Sequence, residues 1–309
     1  MSEPTPNPYA PIGEAGDPAN EPVLVRKVSE YGLVTRLAAE LFGTFALVMI
    51  VLGVAMYSRL TQLDTLGLAL AAGLALAGLY AAFAHVSGAH LNPAVTVASA
   101  IAGRISALEA LAYVVVQVAG GAAAAGLLRV TIPKGLGAGL QLSGDAAIGG
   151  LAANGFEKGS WLATISSGQF EFGIVAALVV ELVGAAVLAG VVLATKPGVR
   201  SALAVGAAYA AVLVLAAPVT GGGINPARST AAALLAIGGS DHAAGQLWLF
   251  WAAPLVGAAL AGLTKLALGK RELGTWVMPD EDGPQGPSDE AAEGETVEEL
   301  EVETAPEAR

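Results

Sequence analysis

Two short polar stretches interrupt a chain that is apolar on either side of them. Thr220-Gly221-Gly222-Gly223-Ile224-Asn225-Pro226-Ala227-Arg228-Ser229 sets an amide, three glycines and a full positive charge between long hydrophobic runs. Ser87-Gly88-Ala89-His90-Leu91-Asn92-Pro93-Ala94-Val95-Thr96 repeats the construction 133 residues earlier, so the chain reads as a duplication. In each copy Asn-Pro predicts a helix start, because the Asn oxygen accepts from the first open N–H groups and Pro fits the first helical position. The Asn92 and Asn225 amide nitrogens are left as donors to the oxygen of a neutral solute. Two glutamates mark the halves again, Glu40 in Ala-Glu-Leu-Phe-Gly-Thr and Glu181 in Val-Glu-Leu-Val-Gly-Ala. A carboxylate inside a membrane is costly. It reads either as a proton or cation site or as an acceptor for the backbone N–H groups of a nearby bent loop, and the second reading is preferred because such a loop leaves donors to satisfy.

The elements that must position these groups are membrane helices. With 55% hydrophobic residues, 13% charged residues and a mean hydropathy of +0.65, the chain reads as a polytopic membrane protein. Runs long enough to cross a bilayer fall at residues 36–57, 66–85, 107–129, 172–195, 202–218 and 246–268. Two more, 92–103 and 225–238, are only half that length and are entered through the polar stretches. Irregular backbone at membrane depth is tolerated only when it is buried in protein or lines a wet cavity. The expected fold is therefore an all-α membrane protein of six transmembrane helices plus two re-entrant half-helices, built as an inverted repeat. Residues 35–270 are expected to form the membrane-embedded domain, with repeats at about 35–130 and 170–270. Residues 1–34 and 271–309 are expected to be disordered tails, the second strongly acidic: 12 of the 26 Asp and Glu lie in residues 280–309. The formal charge of −11 thus belongs to a tail and implies no basic partner.

Basic residues cluster on the side shared by the two termini, which predicts cytoplasmic ends. The halves then have opposite topologies, and the two half-helices meet N-terminus to N-terminus near the midplane. Their positive dipole ends and Arg228 repel a cation there, so ions and protons are excluded while neutral solutes pass.

The paired motifs resemble those of the major intrinsic proteins, the aquaporin and aquaglyceroporin family, over about residues 35–268. The resemblance rests on Ser-Gly-x-His-x-Asn-Pro-Ala-Val-Thr, on Asn-Pro-Ala-Arg-Ser and on the Glu of each half. It implies pore motifs at Asn92, Pro93, Ala94 and at Asn225, Pro226, Ala227, with Glu40, Glu181 and His90 supporting the loops. It also implies a homotetramer with one pore per subunit and passive flux. Counting from the motifs as the family does puts the selectivity filter at Ala72, Leu213, Gly222 and Arg228. Strict water channels of the family resemble one another in carrying an aromatic and a His at the first two positions, and both are missing. The quartet looks most like the metalloid-permeable, nodulin-like branch. In the other direction, Ser229, Ala233 and Phe250-Trp251 resemble the aquaporins. Two selectivities therefore stay open: a broad channel for water, glycerol, urea or undissociated boric or arsenous acid, and a mainly water-selective one. Thr230-Ala231-Ala232 departs from the family's usual Gly-Pro pair.

Other classes fit less well. An ion-coupled secondary transporter also uses inverted repeats and broken helices, but the converging helix ends oppose a coupling cation. An enzyme lacks support, with no nucleophile beside a base, no midplane cluster of acid, base or metal-binding side chains, and no cysteine. No cofactor, metal or nucleic-acid partner is expected; the partners are water, small neutral solutes and the lipid bilayer. Helix glycines, among them Gly43, Gly73, Gly78, Gly120, Gly121, Gly184, Gly190 and Gly257, read as close-packing positions. His85 and His90 flank the first loop, and steadying it is preferred over gating. Tyr31, Tyr57, Trp161, Trp248 and Trp276 read as interfacial anchors, and His242 reads as an inert loop residue.

Overall fold

The computed structural model describes residues 31–240 and 242–268, all in one unit. The expectations for the acidic tail, for residues 1–30 and for Trp276 lie outside the described residues. Eight helices carry the architecture: α1 (Leu33–Met56), α2 (Thr65–Ser87), α3 (Pro93–Ile101), α4 (Ala107–Thr131), α5 (Ile174–Ala194), α6 (Val199–Thr220), α7 (Pro226–Leu235) and α8 (Leu249–Leu268). Six of them are long and apolar enough to cross a membrane, and no strand occurs among the described residues. The half-helices α3 and α7 are shorter than the apolar runs that predicted them. Each closes with Ala102 or Ala236 as its C-cap, before the glycine at the end of the run. Helix α1 begins at Leu33, two residues inside the segment expected to be a tail.

Local chemistry sets the boundaries. Asp64 caps α2 by accepting from the Gly67 amide at 2.8 Å, and Ser106 with Glu109 forms a reciprocal capping box on α4. Glu109 also pairs with Arg36 of α1 at 2.7 Å, tying the starts of the two helices together.

The packing pattern is that of an inverted repeat. α1 packs on α2 and α4 as α5 packs on α6 and α8, and each half-helix lies against the fourth helix of the other repeat, α3 on α8 and α7 on α4. α2 and α6 cross each other at the centre. A methyl group on Gly73 would stand 2.6 Å from the Gly206 carbonyl oxygen, and one on Gly206 2.4 Å from that of Gly73. The two glycines are 133 residues apart, the offset of the polar motifs, so the crossing relates the two halves. Gly120 and Gly257 make equivalent approaches to the carbonyls of Leu41 and Leu182. Gly78 and Gly190 are not used for packing within the chain, since a side chain at either would meet nothing within 4 Å among the described residues. Phe42, Leu74, Leu111 and Leu203 are exposed on the outward faces, as suits a solvent of hydrocarbon.

Candidate functional site

The re-entrant loops are built alike. α2 ends at Gly88 (φ 91°) and α6 at Gly221 (φ 78°), the left-handed turn that stops a helix. The chain then passes through two more left-handed residues in each loop, Ala89 (φ 45°) and Leu91 (φ 49°) in the first and Gly222 (φ 68°) and Ile224 (φ 55°) in the second, Leu91 and Ile224 standing just before the Asn. Bulky side chains are strained in that region, and the glutamates hold them there. Glu40 accepts from Ser87 Oγ at 2.6 Å, from the His90 amide at 2.9 Å and from the Leu91 amide at 2.7 Å. Glu181 accepts from Thr220 Oγ1 at 2.6 Å and from the amides of Gly223 and Ile224 at 2.9 and 2.5 Å. Gln117 adds a fourth donor to Glu40 at 2.8 Å. A carboxylate has about four acceptor positions, so Glu40 has none left for a cation. His90 lies with Nδ1 3.2 Å from Thr96 Oγ1, while the Thr96 hydroxyl donates to the Asn92 carbonyl.

Asn92 and Asn225 cap the two half-helices. Asn92 Oδ1 accepts from the Ala94 amide at 2.8 Å; Asn225 Oδ1 accepts from the amides of Ala227 and Arg228 at 3.0 and 3.2 Å. With each oxygen committed to its own helix, each nitrogen faces the other repeat. Asn92 Nδ2 donates to the Ile224 carbonyl at 3.2 Å and Asn225 Nδ2 to the Leu91 carbonyl at 2.8 Å. One N–H of each amide remains. Pro93 and Pro226 occupy the first helical positions, and Ala94 and Ala227 are buried behind them.

Two cavities lie along the line of these groups. The larger, about 500 Å³, has Arg59, Asp64, Trp161, His242 and Arg228 among its walls. The smaller, about 10 Å³, is lined by Asn92, Asn225, His90 and Tyr209 and otherwise by aliphatic side chains. Successive turns of two helices relate them. On α2, Leu68 borders the larger cavity and Leu76 the smaller, with Ala72 midway; on α6, Ala217 borders the larger and Tyr209 the smaller, with Leu213 midway. Ala72 and Leu213 are buried in one apolar cluster, and a side chain on Gly222 would strike Leu213 at 2.5 Å. The structure thus brings Ala72, Leu213 and Gly222 to the level between the cavities, with Arg228 at the larger one.

Arg228 is 4% exposed, and its hydrogen bonds go to neutral acceptors. Nη2 donates to the Gly221 carbonyl at 3.2 Å and Nη1 to Asn154 Oδ1. Asn154 was not picked out by the sequence reading. It sits in the long connection between α4 and α5, and its amide donates to the Thr220 carbonyl at 3.1 Å. The adjacent Gly155 amide bonds the same carbonyl at 3.1 Å. Gln117 and Tyr209 were also missed, being single polar residues inside apolar helices. His242, read from the sequence as an inert loop residue, borders the larger cavity, and a side chain on Gly159 would strike its ring. No group of three or more His, Asp or Glu able to hold a metal occurs among the described residues.

Six spans, two half-helices meeting at paired amides, and cavities strung along that meeting define a transmembrane channel of inverted-repeat build. Residues 27–265 match the family described as Major intrinsic protein, and the chain belongs to that family of channels, not to a class of enzymes. It is 35% identical over 235 residues to Aquaporin Z of Photorhabdus laumondii subsp. laumondii, a match covering 74% of this chain and 95% of the relative. Against Aquaporin Z of Rhodopseudomonas palustris it is 38% identical over 232 residues, 73% of this chain and 89% of the relative. Among solved structures it resembles the aquaglyceroporin from Plasmodium falciparum, with a TM-score of 0.61 and 21% identity over 77% of this chain and 97% of that one. That last likeness concerns the fold alone.

Proposed function

We propose that this protein is a passive pore for water and small neutral solutes, with glycerol, urea or undissociated boric or arsenous acid as the solute class, and that it rejects ions and protons. The observation carrying the broad reading is the level between the cavities, where Ala72, Leu213 and Gly222 offer no aromatic ring and no imidazole. Such a wall is short of both bulk and polarity, and Arg228 supplies the donors. Ion rejection follows from two helix N-termini and a guanidinium whose acceptors are neutral, while the buried carboxylates Glu40 and Glu181 spend their oxygens on loop donors and not on the passage. A mainly water-selective pore is the second reading. It is favoured by the volume of the smaller cavity, about 10 Å³, which is about the space one water needs. The Aquaporin Z relatives point the same way.

Assembly as a homotetramer in an inner membrane, with both termini cytoplasmic, belongs to the same proposal. Stopped-flow light scattering on proteoliposomes tests the pore, comparing water, glycerol, urea and boric acid with Arg228→Ala as control. Solute flux above that of empty vesicles, linear in gradient and independent of any ion gradient, is expected. Water flux alone would select the second reading, and saturable, ion-dependent flux would replace the pore with a transporter.

A further inference from the structure

We propose that Tyr209 sets the size limit of the passage in the smaller cavity and supplies the passing solute with a hydrogen-bonding hydroxyl beside the Asn92 and Asn225 amides. The inference deepens the proposed pore function and rests on it. Three observations carry it. Tyr209 is 1% exposed and lines the cavity that contains both amides. Its hydroxyl is buried with no hydrogen-bond partner among the described residues, a costly state unless something in the passage takes the bond. The remaining wall there is largely aliphatic, with Leu47, Leu76, Leu188 and Val192; these side chains narrow the space and offer no bond.

The repeat supplies the control. The 133-residue offset that relates Asn92 to Asn225 and Gly73 to Gly206 relates Leu76 to Tyr209, and both line this one cavity. Leucine therefore fills the equivalent position in the first half, and the packing of the bundle does not require a phenol. What tyrosine adds is a rigid ring and a hydroxyl, placed where room for about one water remains. One turn away, the level of Ala72, Leu213 and Gly222 carries no ring, and Leu213, packed against Gly222, is the rival for the size limit that the variants separate from Tyr209.

The test uses the full chain in proteoliposomes, with water and glycerol as probes and three variants: Tyr209→Leu, Tyr209→Phe and Leu213→Ala. Tyr209→Leu is expected to raise the glycerol-to-water permeability ratio about ten-fold, the low end of steric discrimination in a pocket. Tyr209→Phe keeps the ring and loses the bond, so water permeability should fall about five-fold, with a higher activation energy and an unchanged ratio. A ratio that responds to Leu213→Ala but to neither Tyr209 variant would overturn the assignment. Wild-type vesicles that pass water and no glycerol would end the broad-solute reading yet leave Tyr209→Leu decisive for this one. A density map of the pore gives an independent check: an ordered solvent oxygen is expected within hydrogen-bonding distance of Tyr209 Oη, and an ordered passage with none there would refute the hydroxyl's role.

Discussion

Replacing Asn154 with alanine tests how the passage keeps Arg228 in place. In the native protein the guanidinium is held on two sides, by Asn154 Oδ1 and by the Gly221 carbonyl. A hydrogen bond to a charged group contributes about 1.5–3 kcal/mol. Losing the Asn154 arm therefore lowers the occupancy of the native Arg228 rotamer about 10- to 150-fold relative to its alternatives, at 1.4 kcal/mol per factor of ten. The second arm, Asn154 Nδ2 to the Thr220 carbonyl, is neutral, and its loss costs about 1 kcal/mol of stability. A released guanidinium swings into the route between the cavities. The expected result for Asn154→Ala in proteoliposomes is water permeability lowered several-fold with a raised activation energy, and only a few degrees lost in thermal unfolding. Asn154→Asp retains an acceptor for Nη1 and should restore flux. Unchanged flux in Asn154→Ala, or an Asp variant as impaired as the Ala variant, would show that Asn154 does not position Arg228.

Glu40→Ala removes the acceptor for four buried donors, two of them backbone amides. At about 1–3 kcal/mol per orphaned donor it should cost at least 4 kcal/mol, seen as loss of monodisperse protein in detergent, with Glu40→Gln milder. Gly73→Ala should destabilise the bundle by about 1–3 kcal/mol, because the methyl meets a backbone oxygen and not a movable side chain; melting temperatures in detergent equal to wild type would contradict the close crossing. Asp145 accepts from the amides of Gly135 and Gly137, both at 2.8 Å, and these bonds hold its carboxyl below the ordinary aspartate range. Its contribution is present above the unfolded pKa and is lost as pH falls through the depressed folded value. Hydrogen-exchange protection of the Gly135 and Gly137 amides, taken relative to the intrinsic rate at each pH, should therefore fall in acid, and Asp145→Asn should remove that pH dependence.

The half-helices and their supports were legible because each rests on a local rule. Asn-Pro fixes a helix start, a dozen apolar residues fix a half-crossing, and a lone Glu in an apolar helix needs donors, which a glycine-rich loop provides. Asn154 and Tyr209 were not legible, for different reasons. Asn154 reaches Arg228 across 74 residues of chain, through a loop whose sequence has no period to read. Tyr209 lies in an apolar helix, where periodicity reports the buried face but not whether that face meets protein or passage. Gly78 and Gly190 show the same limit in reverse: glycine permits close approach, and only the partner helix decides whether it is used.

The hydrogen bonds that the Asn92 amide donates to the Ile224 carbonyl and the Asn225 amide to the Leu91 carbonyl have a consequence for biosynthesis. Each half completes the other's loop. The partners are 132 and 134 residues apart, so at ribosomal speeds of about 5–20 residues per second Leu91 is made on the order of ten seconds before Asn225. Until then the Asn92 amide and the Leu91 carbonyl lack their cross-repeat partners. Other hydrogen-bonding groups, such as water or lipid headgroups, must serve these two sites in the nascent first half, and the passage is complete only when the second half arrives.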